Sequence, residues 1–79
     1  MVYSRNNQVV INIKIARIQR DWLAQTASLI RDNNEDPVLA EDRVFPQHLI
    51  GVAINLLNSQ NINWNEIRNI DELIKHLNI

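Results

Sequence analysis

The predicted fold depends on one stretch near the start of the chain, Val9-Val10-Ile11-Asn12-Ile13-Lys14-Ile15. Apolar side chains recur there at every second position, and Val10, Asn12 and Lys14 stand between them. An alternation of period two, rich in β-branched residues, is typical of a strand with one buried face and one exposed face. The sequence therefore predicts one N-terminal β-strand whose exposed face carries Val10, Asn12 and Lys14.

Beyond this stretch the apolar residues recur with the longer period of a helix. A first helix is predicted from about Arg17 to Arg31, and a polar loop containing Pro37 follows it. Pro46 suits the first turn of a second helix, because its missing N–H needs no partner there. This second helix is apolar over a wide arc and ends at Asn58.

A third helical segment is predicted near the C-terminus. Asn63 is the expected N-cap, with Glu66 three residues later as its capping-box partner, and a break is expected near Asn69. The helical spacing also predicts that Trp22 and Trp64 lie in the core. No other segment of the sequence is a candidate strand.

A single strand leaves its backbone N–H and C=O groups unpaired, which a second copy of the same strand would remedy about a twofold axis. A chain of 79 residues without cysteine also lacks disulfides as a source of stability. We therefore expect a mainly α fold with one N-terminal β-strand that pairs antiparallel with its copy in an intertwined homodimer. The alternative is a monomeric helical domain whose strand pairs with nothing. The predicted organisation is a flexible arm at 1–7, the domain at 8–60 and a C-terminal helical extension at 61–79 packed on that domain.

This order of elements, and the stretches 11–16 and 44–54 in particular, resembles the ribbon-helix-helix DNA-binding family, the type of the Arc and methionine repressors. Ala27 stands where the first helix of that family usually carries a small residue, and Leu49, Ile50 and Ala53 match its second-helix core. The resemblance covers about residues 8–58. It implies a two-stranded β-ribbon that lies in the major groove of double-stranded DNA.

The resemblance also implies which residues contact DNA. The base-contacting candidates are Val10, Asn12 and Lys14, because valine suits a thymine methyl, asparagine suits adenine and lysine suits guanine. Backbone phosphates would be contacted by basic side chains and by the start of the second helix. The phosphate-contacting candidates are Arg5, Arg17, Arg20, Arg43, Phe45 and Gln47.

Charge is distributed unevenly, although the net charge is only -1. Residues 1–31 hold five Lys and Arg against one Asp, whereas residues 32–79 hold three against eight Asp and Glu. A basic end on an acidic body indicates an anionic partner. The lack of cysteine, of a long apolar run and of a signal-peptide pattern predicts a cytoplasmic protein with no membrane partner.

Other chemistry finds little support in the sequence. Asp32, Asn34 and Asp36 have the spacing of a calcium loop, but Pro37 and Arg43 stand where that loop needs glycine and glutamate. His48 and His76 have no partners that would form a catalytic or metal site, and each is expected at the surface or as a helix cap. We therefore expect no catalytic residues, no metal and no cofactor.

Two functions remain from the sequence. The first is a sequence-specific double-stranded DNA-binding protein, such as a transcriptional repressor, which is not an enzyme. The second is a homodimeric protein-interaction module, antitoxin-like or an adaptor, that binds a protein partner through the acidic segment 61–79.

Overall fold

The computed structural model describes residues 8–79. Three α-helices follow one another in this part of the chain: α1 at Arg17–Asp32, α2 at Pro46–Asn58 and α3 at Ile70–Leu77. Single 3₁₀ turns at Ala40–Asp42 and Trp64–Glu66 lie in the connections. The flexible arm predicted for residues 1–7, with the phosphate-contacting candidate Arg5, falls outside the described residues.

The predicted N-terminal strand is wrong. Residues 8–16 have no regular secondary structure, and no β-strand occurs among residues 8–79. No backbone hydrogen bond joins residues 8–15 to another described residue. A strand needs a second backbone to complete its ladder. The ribbon-helix-helix architecture, with its paired ribbon in an intertwined dimer, is therefore corrected to an α-helical chain whose described N-terminal segment, residues 8–16, is irregular.

The first two helices begin where the sequence predicts, at Arg17 and Pro46. At the start of α1, Ala16 has no side-chain acceptor, and the Gln19 side chain instead accepts a hydrogen bond from the Ala16 N–H at 2.8 Å. At the start of α2, the Nδ1 atom of His48 accepts a hydrogen bond from the Phe45 N–H at 2.8 Å. The expectation that His48 caps a helix is confirmed.

The N-cap predicted at Asn63 is wrong, but the break expected near Asn69 is confirmed, because α3 begins at Ile70. Asn63 makes no side-chain cap, and only the 3₁₀ turn follows it. The N-cap is Asn69, whose side chain accepts a hydrogen bond from the Glu72 N–H at 2.9 Å. Glu72 in turn accepts one from the Arg68 N–H, also at 2.9 Å. These two hydrogen bonds, one from the Glu72 N–H and one to the Glu72 side chain, stabilise the start of α3.

The described residues divide into two units, 8–49 and 50–79. The only buried residue among them is Ala27, on α1. It lies on the side of that helix that we call the inner face, which consists of buried Ala27 and the half-buried Leu23 and Ile30. In residues 50–79, no described residue is buried.

Candidate functional site

The irregular segment before α1, residues 8–16, carries the predicted base-contacting residues, and all of them are exposed. Val10 is 96% exposed, and Asn12 and Lys14 are exposed beside it. Neither Asn12 nor Lys14 has a hydrogen bond or an ion pair with another described residue. Their polar groups are therefore available to a ligand.

The predicted phosphate-contacting residues divide into two groups. Arg17 and Arg20 lie in the first turn of α1, where Arg20 forms an exposed ion pair with Asp21 at 3.1 Å. Arg43, Phe45 and Gln47 lie around the start of α2. A 16-residue helix is roughly 24 Å long. Contacts of Arg31 with Val44 and Phe45 place the second group at the C-terminal end of α1, so the two groups do not form one surface patch.

The C-terminal end of α1 is tied to the start of α2 by Arg31. Its Nη1 atom donates a hydrogen bond to the Val44 carbonyl oxygen at 2.6 Å. Its guanidinium carbon also lies 5.1 Å from the centre of the Phe45 ring, within the range of a cation–π contact. Arg31 was not a predicted site residue, and no sequence motif marks it. Only its contact with a carbonyl thirteen residues away shows what it does.

Two of the backbone donors at the start of α2 are already engaged. The Phe45 N–H donates to His48, the His48 N–H donates to the Phe45 carbonyl at 2.9 Å, and Pro46 has no N–H. The Nε atom of Arg43 donates to the Val38 carbonyl at 3.3 Å. A phosphate at this helix start would have to displace these contacts, so the first group is the better candidate for an anion.

The loop between α1 and α2 is acidic. Five carboxylates and no lysine or arginine lie between positions 32 and 42: Asp32, Glu35, Asp36, Glu41 and Asp42. An open cavity of about 470 Å³ borders this loop, with Arg31, Pro37 and Phe45 among its lining residues. Carboxylates at this end of α1 repel DNA, which again favours the opposite end as a DNA contact.

Large apolar side chains remain uncovered on α1. They lie on the side away from the inner face, and we call them, with one glutamine between them, the outer stripe: Ile18, Trp22, Gln25 and Leu29. Ile18 is 78% exposed, Trp22 59% and Leu29 62%. The expectation that Trp22 and Trp64 are core residues is wrong, because Trp64 is also 48% exposed.

The C-terminal half of α2 is uncovered as well. Every residue from 52 to 58 is exposed, and the apolar ones span an arc of about 200° around the helix: Val52, Ala53, Ile54, Leu56 and Leu57. Exposed apolar patches of this kind are typical of interaction surfaces.

The predicted protein-binding segment, 61–79, is less acidic than its half of the chain. It holds three carboxylates against two basic residues, and Glu72 already pairs with Arg68 at 2.8 Å. Its uncovered groups include apolar side chains: Ile70 is 68% exposed and Ile74 is 40% exposed. A protein that binds this segment would contact apolar surface as much as charge.

Among residues 8–79, no group of three or more His, Cys, Asp and Glu is placed to hold a metal ion. In the same part of the chain, no helix has both the length and the apolar composition needed to cross a membrane. No family model, curated protein or solved structure matches this chain.

Proposed function

We propose that this chain is a double-stranded DNA-binding protein that acts as a homodimer, with no catalytic role. The contact with DNA is made by the irregular segment before α1 and by the first turn of α1. The observation that supports this most is the exposure of Asn12 and Lys14, which have no hydrogen bond or ion pair with another described residue. Asparagine can pair bidentately with adenine, and lysine donates to guanine.

The separation of charge within residues 8–49 supports the same surface. Lys14, Arg17 and Arg20 lie at or just before the N-terminal end of α1, and the five carboxylates of residues 32–42 lie at or beyond its other end. A polyanion would approach the basic end and be repelled by the acidic one. Arg20 is held only by an exposed pair with Asp21, so it can exchange that carboxylate for a phosphate at little cost.

The direct test is an anisotropy titration of pooled random duplex DNA at several salt concentrations. Lys14→Gln is the test variant, and Lys75→Gln, at an exposed lysine of α3, is the matched control. We expect Lys14→Gln to lower the salt dependence of log Kobs by about 2, because a dimer loses two phosphate or base contacts. Lys75→Gln should bind as the unchanged chain does.

Sequence selectivity is tested separately with Asn12→Ala on a library of sites. A lost bidentate contact should reduce discrimination at one base position per half-site by about 1–3 kcal/mol. DNA binding that is absent at low salt, or that Lys14→Gln and Lys75→Gln weaken equally, would overturn the proposal.

The uncovered apolar surface favours a second candidate function, a homodimeric protein-interaction module. Ile70, Ile74 and Trp64 of its C-terminal part are exposed, as an interaction surface requires. The same titration separates the two functions. Self-association without DNA binding at any salt concentration would favour the interaction module.

A further inference from the structure

Helix α1 has two apolar sides, and only one is covered. At 100° per residue, the four members of the outer stripe fall within an arc of about 60°. The inner face, around buried Ala27, lies on the opposite side. A surface helix of a monomer needs one apolar stripe to face its own core. The outer stripe therefore has no role within residues 8–49.

We propose that a second copy of this chain covers the outer stripe, with the two α1 helices packed antiparallel. This inference rests on the proposed homodimer and names its interface. The stripe is symmetric along the helix, so an antiparallel pair brings Ile18 against the partner's Leu29. Trp22 then meets the partner's Gln25, whose side-chain oxygen can accept a hydrogen bond from the indole N–H.

Charge complementarity favours a second copy of the chain as the partner, and it favours antiparallel packing of the two α1 helices. Arg17 and Asp32 lie on the same side of the outer stripe, at opposite ends of α1, and neither has an ion pair with another described residue. Antiparallel packing brings Arg17 near the partner's Asp32, and symmetry makes this pair twice. Parallel packing would instead put both Arg17 side chains at one end of the pair and both Asp32 side chains at the other, so that no opposite charges would meet.

The positions of these charges are unfavourable for an isolated α1. A helix N-terminus favours negative charge and a C-terminus favours positive charge, but α1 has no acidic residue in its first turn and ends at Asp32. In the antiparallel pair, each of the two charges faces its opposite. Arg17, a phosphate-contacting candidate from the sequence, is thereby assigned to the dimer and not to DNA, which leaves Lys14 and Arg20 as the basic groups for DNA at this end of α1.

The arrangement also bears on DNA binding. It places the two Lys14 segments at opposite ends of a helix pair roughly 24 Å long. That separation is of the order of one turn of DNA, about 34 Å, which is the usual distance between the half-sites of a dimer.

A charge-swap cycle tests the pairing in the absence of DNA. The dimer dissociation constant is measured by analytical ultracentrifugation for the unchanged chain, Arg17→Asp, Asp32→Arg and the double variant. Each single change should weaken the dimer about tenfold or more, because it places two like-charged pairs in the interface. The double variant should recover to within about threefold, since it restores both pairs in reverse. Arg20→Asp, a charge reversal on the same helix but away from the outer stripe, is the control.

A second readout follows Trp22 directly. In a Trp64→Phe background, the emission of Trp22 should shift to longer wavelength as the dimer dissociates on dilution. The inference would be overturned if the single variants had the same dimer dissociation constant as the Arg20→Asp control. It would also be overturned if the double variant weakened the dimer by the sum of the two single effects. A monomer in which Trp22 is already covered would overturn it too. The ultracentrifugation experiment contains no DNA, and the Lys14→Gln titration leaves the Arg17 and Asp32 pair intact. Failure of the proposed dimer interface is therefore distinguishable from failure of the proposed DNA binding.

Discussion

Residues 8–49 and residues 50–79 are held together in different ways. The first unit contains buried Ala27 and a hydrogen bond from Arg31 to a carbonyl thirteen residues away. In the second unit, the described hydrogen bonds and ion pairs outside helix backbones join residues no more than five apart, as at Arg68, Asn69 and Glu72. The first unit therefore has a small buried region and a tertiary contact, whereas the second is organised by local contacts.

This difference predicts how each unit responds to mutation. A substitution that disturbs a tertiary contact changes the stability of every element that shares it, whereas loss of a helix cap acts on one helix. The two units should therefore differ in how a mutation changes their amide hydrogen-exchange protection. Variants of the first should change protection widely, and variants of the second should change it only near the substitution.

The largest effect is expected from Ala27→Leu. Ala27 has no accessible surface, so three more carbon atoms would force α1 away from the residues that cover it. We expect the free energy of unfolding to fall by about 1–3 kcal/mol. Urea denaturation measures it. The matched control is Ala24→Leu, at an exposed position one turn earlier on the same helix, which should change stability by less than about 0.5 kcal/mol. Equal effects would show that the inner face is not a packed surface.

A smaller effect is expected from Arg31→Met, which keeps the apolar stem but removes the donor to Val44 and the cation over Phe45. The expected loss is about 1–2 kcal/mol. Hydrogen exchange should show it at both α1 and the start of α2. Arg20→Met is the control, because the Arg20 pair with Asp21 is exposed and should contribute about 0.5 kcal/mol or less. A loss of protection confined to α1 would contradict the tie between the two helices.

The smallest effect is expected from Asn69→Ala, which removes the N-cap of α3. A lost cap costs about 1 kcal/mol. Amide exchange of residues 70–77 should accelerate while that of α1 stays unchanged. Asn63→Ala is the control, because Asn63 makes no side-chain cap although it has the same spacing to a following glutamate. If both variants behave alike, local capping does not organise residues 50–79.

The starts of α1 and α2 were predictable from sequence, because apolar period and the preference of proline for a first helical turn are local properties. The start of α3 was not. Asn63 and Asn69 are both followed three residues later by glutamate, and the prediction of Asn63 as the N-cap is wrong. The second pattern also has Asp71 and Glu72 in the first turn and Lys75 in the last, which suits the helix dipole. That signal was available and could have decided between them.

The strand and the two tryptophans could not be predicted correctly, for a common reason. Alternation at residues 9–15 shows which side chains share a face, and helical spacing shows which stripe carries Trp22. Neither pattern indicates which part of the protein, if any, packs on the apolar face that it identifies. A strand also needs a neighbouring backbone, and residues 8–79 provide none. The role of Arg31 was likewise hidden, because it depends on where Val44 lies in space.

The central claim is that two copies of this chain bind one DNA duplex. Native mass spectrometry of the chain mixed with a duplex selected from the random pool tests it most directly. The account predicts a dimer of the 9.2 kDa chain without DNA and a complex of two chains with one duplex. A monomer alone, together with no DNA complex at low salt, would contradict it.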